Sequence, residues 1–241
     1  GGGGAGAGGM KRGAYRPGGM DVQIEHVFVN ANDPAFAASE IRRISEAGMV
    51  PMVTVEPWDG IPEIGDKARW VSALFRRGRV LVRFCHEMNG SWYPWASDPG
   101  RFRAMWESWS LMMPEDVELV WCPNVSYPGS APIKDFWPDP DLVDWIGLDG
   151  YARHGESMER VFAPTLEELW RERIARYGKP VMLAETGTPR GRGQAKWWRD
   201  GIKWAERQGI AAVCCFNVKK DGPDEADWTL SKAAQRAFKE G

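Results

Sequence analysis

Two glutamates end otherwise apolar runs in this sequence. Glu87 follows "VLVRFCH" (80–86), and Glu185 closes "PVMLAE" (180–185). His86 and Asn89 flank the first, and Trp92, Tyr93 and Trp95 follow it closely. Two carboxyls at the ends of buried strands can divide acid and nucleophile chemistry between them. Burial raises one pKa so that the group can donate a proton, and neighbouring donors keep the other ionised. Such pairs serve glycosidic bond cleavage, where a separation of about 5–5.5 Å gives retention and roughly 6.5–9.5 Å gives inversion. The aromatics fit this chemistry, because sugar rings have apolar C–H faces on which tryptophan stacks.

The elements that must position these groups are strands. Nearly continuous apolar runs occur at 26–30, 50–57, 80–86, 117–123, 142–149, 180–185 and 210–217, as expected of parallel strands covered on both faces. "GAYRP" (13–17) makes an eighth. Helical patterns separate them. Asp33-Pro34 and Asp98-Pro99 read as N-caps with proline at the first helical position. Phe102, Met105, Trp106, Trp109 and Met113 share one helical face. Thr165 to Glu168 reads as a capping box, with Leu166, Leu169, Trp170, Ile174 and Tyr177 on one face. Gly178 and Gly209 close two helices, and the last begins near Ser231 with Ala233, Ala234, Ala237 and Phe238 inward.

This alternation predicts an α/β fold, a single-domain (β/α)₈ barrel over 11–241 after a flexible glycine-rich tail at 1–10. An open doubly wound sheet ranks second, because "GGMD" is no phosphate-binding loop. Only about eight residues separate the first two strands, whereas a parallel crossover takes a dozen or more. The first β/α unit is therefore expected to be incomplete or short.

In a barrel of this kind the strand C-termini carry the site. They offer Glu56, Trp58, His86, Glu87, Asn124, Asp149, Tyr151, Glu185, Asn217 and Lys219. The fourth and seventh strands, bearing Glu87 and Glu185, lie nearly across the ring from each other. Arg83 has the inward parity of Glu87 and is placed to hold a carboxylate ionised. By strict alternation His86 points away from Glu87, so both face a substrate only if the chain bulges or turns there. Trp121 and Trp145 read as core. Met88, Trp106, Trp109, Trp170 and Trp198 read as packing. Asp149 is either a site residue or a strand-end cap, and His26 and His154 carry no motif.

Composition narrows the classes. A formal net charge of -2 argues against a nucleic-acid partner. No apolar run approaches the roughly 18 residues that span a membrane. Cys85, Cys122, Cys214 and Cys215 sit inside apolar runs without metal-ligand spacing, so they read as small buried hydrophobes. The 14 tryptophans exceed what a core readily absorbs, which suggests a surface that meets flat apolar faces.

"RFCHEMNGSWYPW" closely resembles the acid/base motif of family 26 glycoside hydrolases, a clan A family of (β/α)₈ retaining enzymes best known as β-mannanases. "VMLAETGT" resembles their nucleophile strand, and "WCPN", "DWIGLDGY" and "FNVKKDGPDEADW" resemble their fifth, sixth and eighth strand ends. The likeness spans about residues 50 to 238. It implies Glu87 as acid/base and Glu185 as nucleophile. It implies His86 and Asn89 lining the cleavage point, Tyr151 bonded to the nucleophile, Trp92 as an aromatic wall and Trp228 as a stacking platform. It also implies a polysaccharide substrate, no cofactor, a monomer and a secreted enzyme, although the first residues show no apolar core of a secretory signal. β-1,4-Mannan is the substrate expected first. β-1,3-Xylan and mixed-linkage β-glucan follow, and a non-catalytic glycan-binding barrel is the rival from another class.

Overall fold

The computed structural model describes residues 11–15, 22–59, 64–75, 78–96, 98–220 and 226–240. The tail expected over 1–10 lies outside them. Eight strands close a barrel in chain order: β1 (Lys11–Tyr15), β2 (Val22–Asn30), β3 (Val50–Glu56), β4 (Val80–Phe84), β5 (Val117–Trp121), β6 (Trp145–Tyr151), β7 (Val181–Gly187) and β8 (Ala212–Cys215). Strands β2 to β8 run parallel. β1 is antiparallel to both neighbours, β2 and β8, and no helix joins β1 to β2 among the described residues. The barrel is thus short in its first unit, as the brief connection requires.

The outer layer holds α1 (Pro34–Glu46), α2 (Ile64–Leu74), α3 (Pro99–Ser110), α4 (Met158–Arg171), α5 (Gln194–Arg207) and α6 (Lys232–Glu240). Asp33 and Asp98 cap α1 and α3 as expected, accepting from the Phe36 and Arg101 amides at 3.0 and 2.9 Å. Between β5 and β6 the cover is two 3₁₀ turns, Ile133–Phe136 and Pro140–Leu142. Two indoles pin these turns: Trp121 Nε1 donates to the Phe136 carbonyl and Trp106 Nε1 to the Leu142 carbonyl, both at 3.0 Å.

Several local expectations are corrected. α4 starts seven residues before Thr165, capped by Ser157, whose Oγ accepts from the Arg160 amide. Thr165 is interior to the helix, where its hydroxyl accepts from the Ser126 amide and ties down the β5 loop. Trp170 lies on the outer side of the helix and is 70% exposed, and Tyr177, in the 3₁₀ turn Ile174–Tyr177, is also exposed. Ala233 is likewise exposed on α6 while Ala234 and Ala237 are buried.

The barrel interior is layered by strand parity. Ile24, Met52, Leu81, Val120, Trp145, Met182 and Ala212 belong to one dry cluster. Two residues on, the same faces carry His26, Thr54, Arg83 and Cys122, all buried. A separate and larger cluster fills the space between barrel and helices. The four cysteines are free and buried in these layers. Gly147 matches this crowding: a Cβ there would lie 2.9 Å from both Cys122 Sγ and Val120 Cγ1. Gly147→Val is expected to destabilise the protein by about 1–3 kcal/mol through overpacking, read as a lower urea midpoint. An unchanged midpoint would show that the interior yields.

Candidate active site

β4 ends at Phe84, yet its backbone stays clamped between its neighbours. The Cys85 amide donates to the Val55 carbonyl at 3.2 Å, and the Glu87 amide to the Cys122 carbonyl at 2.8 Å. Within that clamp Cys85 and Glu87 take positive φ, 52° and 54°. Left-handed backbone at non-glycine residues is unfavourable by roughly 1–3 kcal/mol each and persists only where the surroundings impose it. This turn breaks the alternation, so that His86 and Glu87 both stay on the inner side. Both are nearly buried, at 2% and 8% exposure.

A bulge does the equivalent work on the opposite wall. The β6–β7 register shifts after Leu148, and the shift sets Asp149 beside Glu185. Between the two walls lies Arg83, wholly buried. Its Nη1 donates to both Asp149 oxygens at 2.7 and 2.5 Å, and approaches Cys122 Sγ at 3.5 Å. Its Nη2 donates to Glu185 Oε1 and meets His26 Nε2 at 3.2 Å, and its Nε donates to Thr54 Oγ1 at 2.8 Å. A guanidinium only donates, so His26 Nε2 is an acceptor here, which assigns its proton to Nδ1. Thr54 Oγ1 also bonds that nitrogen.

The electrostatics follow. Burial alone would lower the Arg83 pKa, but Asp149 and Glu185 raise it well above its usual value, so the cation is permanent. Burial pushes the Asp149 carboxyl up; Arg83 opposes this, and Glu185 and Glu87 add to it. Burial, reinforced by Glu185, raises the Tyr151 phenol well above its usual value, so Tyr151 remains a donor to Glu185 Oε2. Glu185 is therefore held by one cation and one hydroxyl.

Glu87 has neutral partners. Trp92 Nε1 donates to its Oε2 at 2.7 Å, and Asn124 Nδ2 to its Oε1 at 3.3 Å. Trp92 is 46% exposed and stacks on the exposed Tyr127 at 6.0 Å, a wall facing open solvent. Trp58, also exposed, packs edge-on against Tyr93 and Trp95. His86 Nε2 meets the Tyr93 hydroxyl at 3.1 Å and lies 3.9 Å from Glu56 Oε1.

Two expected site residues are placed differently. Asn89 is 1% exposed, and its amide is spent on the backbone of Asn124, donating to the carbonyl and accepting from the amide, each at 2.9 Å. It positions Asn124 rather than lining a subsite. Trp228 is 2% exposed; it backs the Tyr151 ring at 5.1 Å with Arg153 over its face at 5.5 Å, and offers no open platform. Conversely, His26 and Thr54 join the site although no motif marks them, and Cys122 joins it although it read only as a buried hydrophobe. The signal available was parity, since each stands two residues after an inward apolar residue. His86, Asp149 and Glu185 bring potential ligand atoms within 4.8 Å of one another. Arg83 already occupies both carboxylates, and its charge disfavours a cation there.

The fold recurs in solved carbohydrate-active enzymes. A family 26 β-mannanase from Bacteroides ovatus superposes with a TM-score of 0.64 at 16% identity, covering 94% of this chain and 79% of that one. A Cellulomonas fimi endo-β-1,4-mannanase gives 0.61 at 17%, covering 86% and 57%. A family 128 endo-β-1,3-glucanase from Amycolatopsis mediterranei, solved with laminaripentaose, gives 0.52 at 15%, covering 80% and 82%. In sequence the chain is 26% identical over 252 residues to endoglucanase H of Acetivibrio thermocellus, covering 90% of this chain. The chain spans 27% of the length of that relative. No protein-family model matches.

Arg83→Met should leave Asp149 and Glu185 buried without a counter-charge and destabilise the fold by about 3–5 kcal/mol. Adding Asp149→Asn should restore part of that loss, read by denaturation in a double-mutant cycle. Strict additivity of the two changes would dissociate the pair. With its motif residues gathered on one rim, the chain has the barrel fold of the family 26 glycoside hydrolases that its sequence resembles.

Proposed function

We propose that residues 11–241 form a glycosidase that cleaves β-linked polysaccharide, most specifically β-1,4-mannan, from within the chain and with retention. The observation that carries this reading is the unequal environment of two facing carboxyls. Glu185, held by Arg83 and Tyr151, is kept ionised for attack on the anomeric carbon. Glu87, held by neutral donors beside an exposed aromatic wall, protonates the departing oxygen and then activates water. Tyr151 and Arg83 also steady the charge that returns to Glu185 when the glycosyl-enzyme breaks down. The two carboxyls complete the chemistry without a cofactor. The bound partner is a neutral glycan reached outside the cell by a monomer, and no described helix is long and apolar enough to cross a membrane.

The preference for mannose rests on the resemblance and on the solved mannanases. The axial 2-hydroxyl distinguishes mannose from glucose, and contacts to the 2-hydroxyl tighten in the transition state. His86, which the resemblance implies at the cleavage point, is the polar group assigned to read it. The endoglucanase relative supports a β-glucan substrate with the same mechanism as the second reading.

Glucomannan and galactomannan should be cut to short oligosaccharides, with the β-anomer first by NMR. Cleavage of mixed-linkage glucan or β-1,3-xylan with mannan untouched would move the substrate and keep the mechanism; an α-anomer appearing first would refute retention. Glu185→Ala should abolish turnover. Glu87→Ala should slow polysaccharide cleavage by about 100- to 10,000-fold while sparing aryl glycosides with good leaving groups. Full activity of Glu185→Ala would end the assignment.

A further inference from the structure

A second groove lies on the outer wall, between the start of α4 and the length of α5, with a volume of about 370 Å³. Gly201 lets the helices meet there, since a Cβ would lie 2.7 Å from Met158 Cε. Met158 and Trp204 make a buried apolar floor, and Trp197 stands half-buried along it. Trp197 and Trp204 are seven residues apart on one helix face, about 10 Å along the axis. Trp204, 4% exposed, only closes the floor, so the half-buried Trp197 is the ring that a sugar can reach. Trp197 is fixed, donating from Nε1 to the Glu156 carbonyl at 2.8 Å.

The walls are polar and balanced in charge. Glu159 and Asp200 offset Lys196 and Arg207, so the groove carries no net charge. Balanced charge does not recruit a nucleic acid or another polyanion. An apolar floor edged by donors and acceptors suits a ring with one apolar face and many hydroxyls. The groove also opens at the catalytic rim. Gly155 and Gly193, which line it, belong to the loops that follow β6 and β7, the strands bearing Tyr151 and Glu185.

We propose that this groove is a non-catalytic glycan-binding site that holds a stretch of neutral polysaccharide while another part of the polymer occupies the cleft. This rests on the proposed function for the identity of the ligand. Holding a remote segment raises the local concentration of cleavable bonds, so the benefit is confined to long substrates.

The test compares polymeric glucomannan with a mannotriose-sized substrate too short to span cleft and groove. Trp197→Ala should lower kcat/KM on the polymer roughly 2- to 10-fold, the worth of one stacked ring, and leave the short substrate unchanged. Lys196→Ala/Asp200→Ala, a surface pair whose loss threatens the fold little, should weaken retention in a glucomannan gel without altering short-substrate turnover. Unchanged polymer kinetics and retention in both variants would overturn the proposal. So would equal losses on both substrates, which would assign Trp197 to support of the fold. Should no polysaccharide be cleaved, the proposed function fails, and gel retention alone decides the groove.

Discussion

A buried guanidinium organises this molecule. Arg83 has five N–H donors and no contact with water, so every donor must find an acceptor inside the barrel or leave a costly unpaired group. The acceptors come from four other strands: His26 on β2, Thr54 on β3, Asp149 on β6 and Glu185 on β7, with the Cys122 sulfur beside the end of β5. One side chain therefore ties together most of the ring at the layer where apolar packing gives way to chemistry. The bulge at Leu148/Asp149 is explained by the same demand, because without it Asp149 and Glu185 would not lie side by side over one cation.

The opposite wall solves a different problem. A regular continuation of β4 would send His86 and Glu87 to opposite faces, one of them into the helix layer. The chain accepts two left-handed residues instead, and hydrogen bonds to β3 and β5 hold them there. The aromatics complete the arrangement. The Trp95 indole donates to the His86 carbonyl at 2.8 Å, so the ring fixes the very backbone that carries the strain. Asn89 then anchors the β5 loop and brings Asn124 to Glu87. The segment 84–95 is a small self-supporting structure whose product is the orientation of one carboxyl.

Much of this was legible in the sequence, and the reasons differ by residue. Continuous apolar runs marked the strands, and the brief first connection pointed to an incomplete first unit, which the structure resolves as an antiparallel β1. Glu87, Glu185, Arg83 and Tyr151 stood out as polar residues at or near strand ends, and the structure brings Arg83, Tyr151 and Glu185 into contact. His26 and Thr54 did not stand out, since either residue inside a strand ordinarily needs no explanation; only Arg83 gives them one. Asn89 and Trp228 were assigned through the resemblance, which does not reveal which partners a side chain satisfies first; here Asn89 bonds the Asn124 backbone and Trp228 packs on Tyr151. The tryptophan excess also divides differently. Trp70, Trp106, Trp121 and Trp145 are buried, with indole N–H groups bonded to carbonyls or to Glu118, and only Trp58, Trp92 and Trp170 are exposed. Most of the excess is buried, where each ring brings apolar area together with one donor, which Trp109, Trp137 and Trp198 leave without a hydrogen-bond partner.

The exposed remainder gives the mouth a direction. Trp58, Trp92 and Tyr127 stand on the loops after β3, β4 and β5, the side of Glu87. On the side of Glu185 the corresponding ring, Trp228, is buried behind Tyr151 and covered by Arg153. On the proposed mechanism, Glu87 protonates the oxygen of the departing sugar, so the open stacking surfaces lie where the leaving half of the polymer rests. Among the described residues, the groups around Glu185 are buried and polar. Aromatic stacking tolerates many sugars, whereas a buried polar pocket discriminates strongly when its groups are left unpaired. On the same proposal, discrimination between sugars falls to the buried polar groups, His86 and the Arg83–Asp149–Glu185–Tyr151 cluster, and affinity for the polymer to the exposed aromatics.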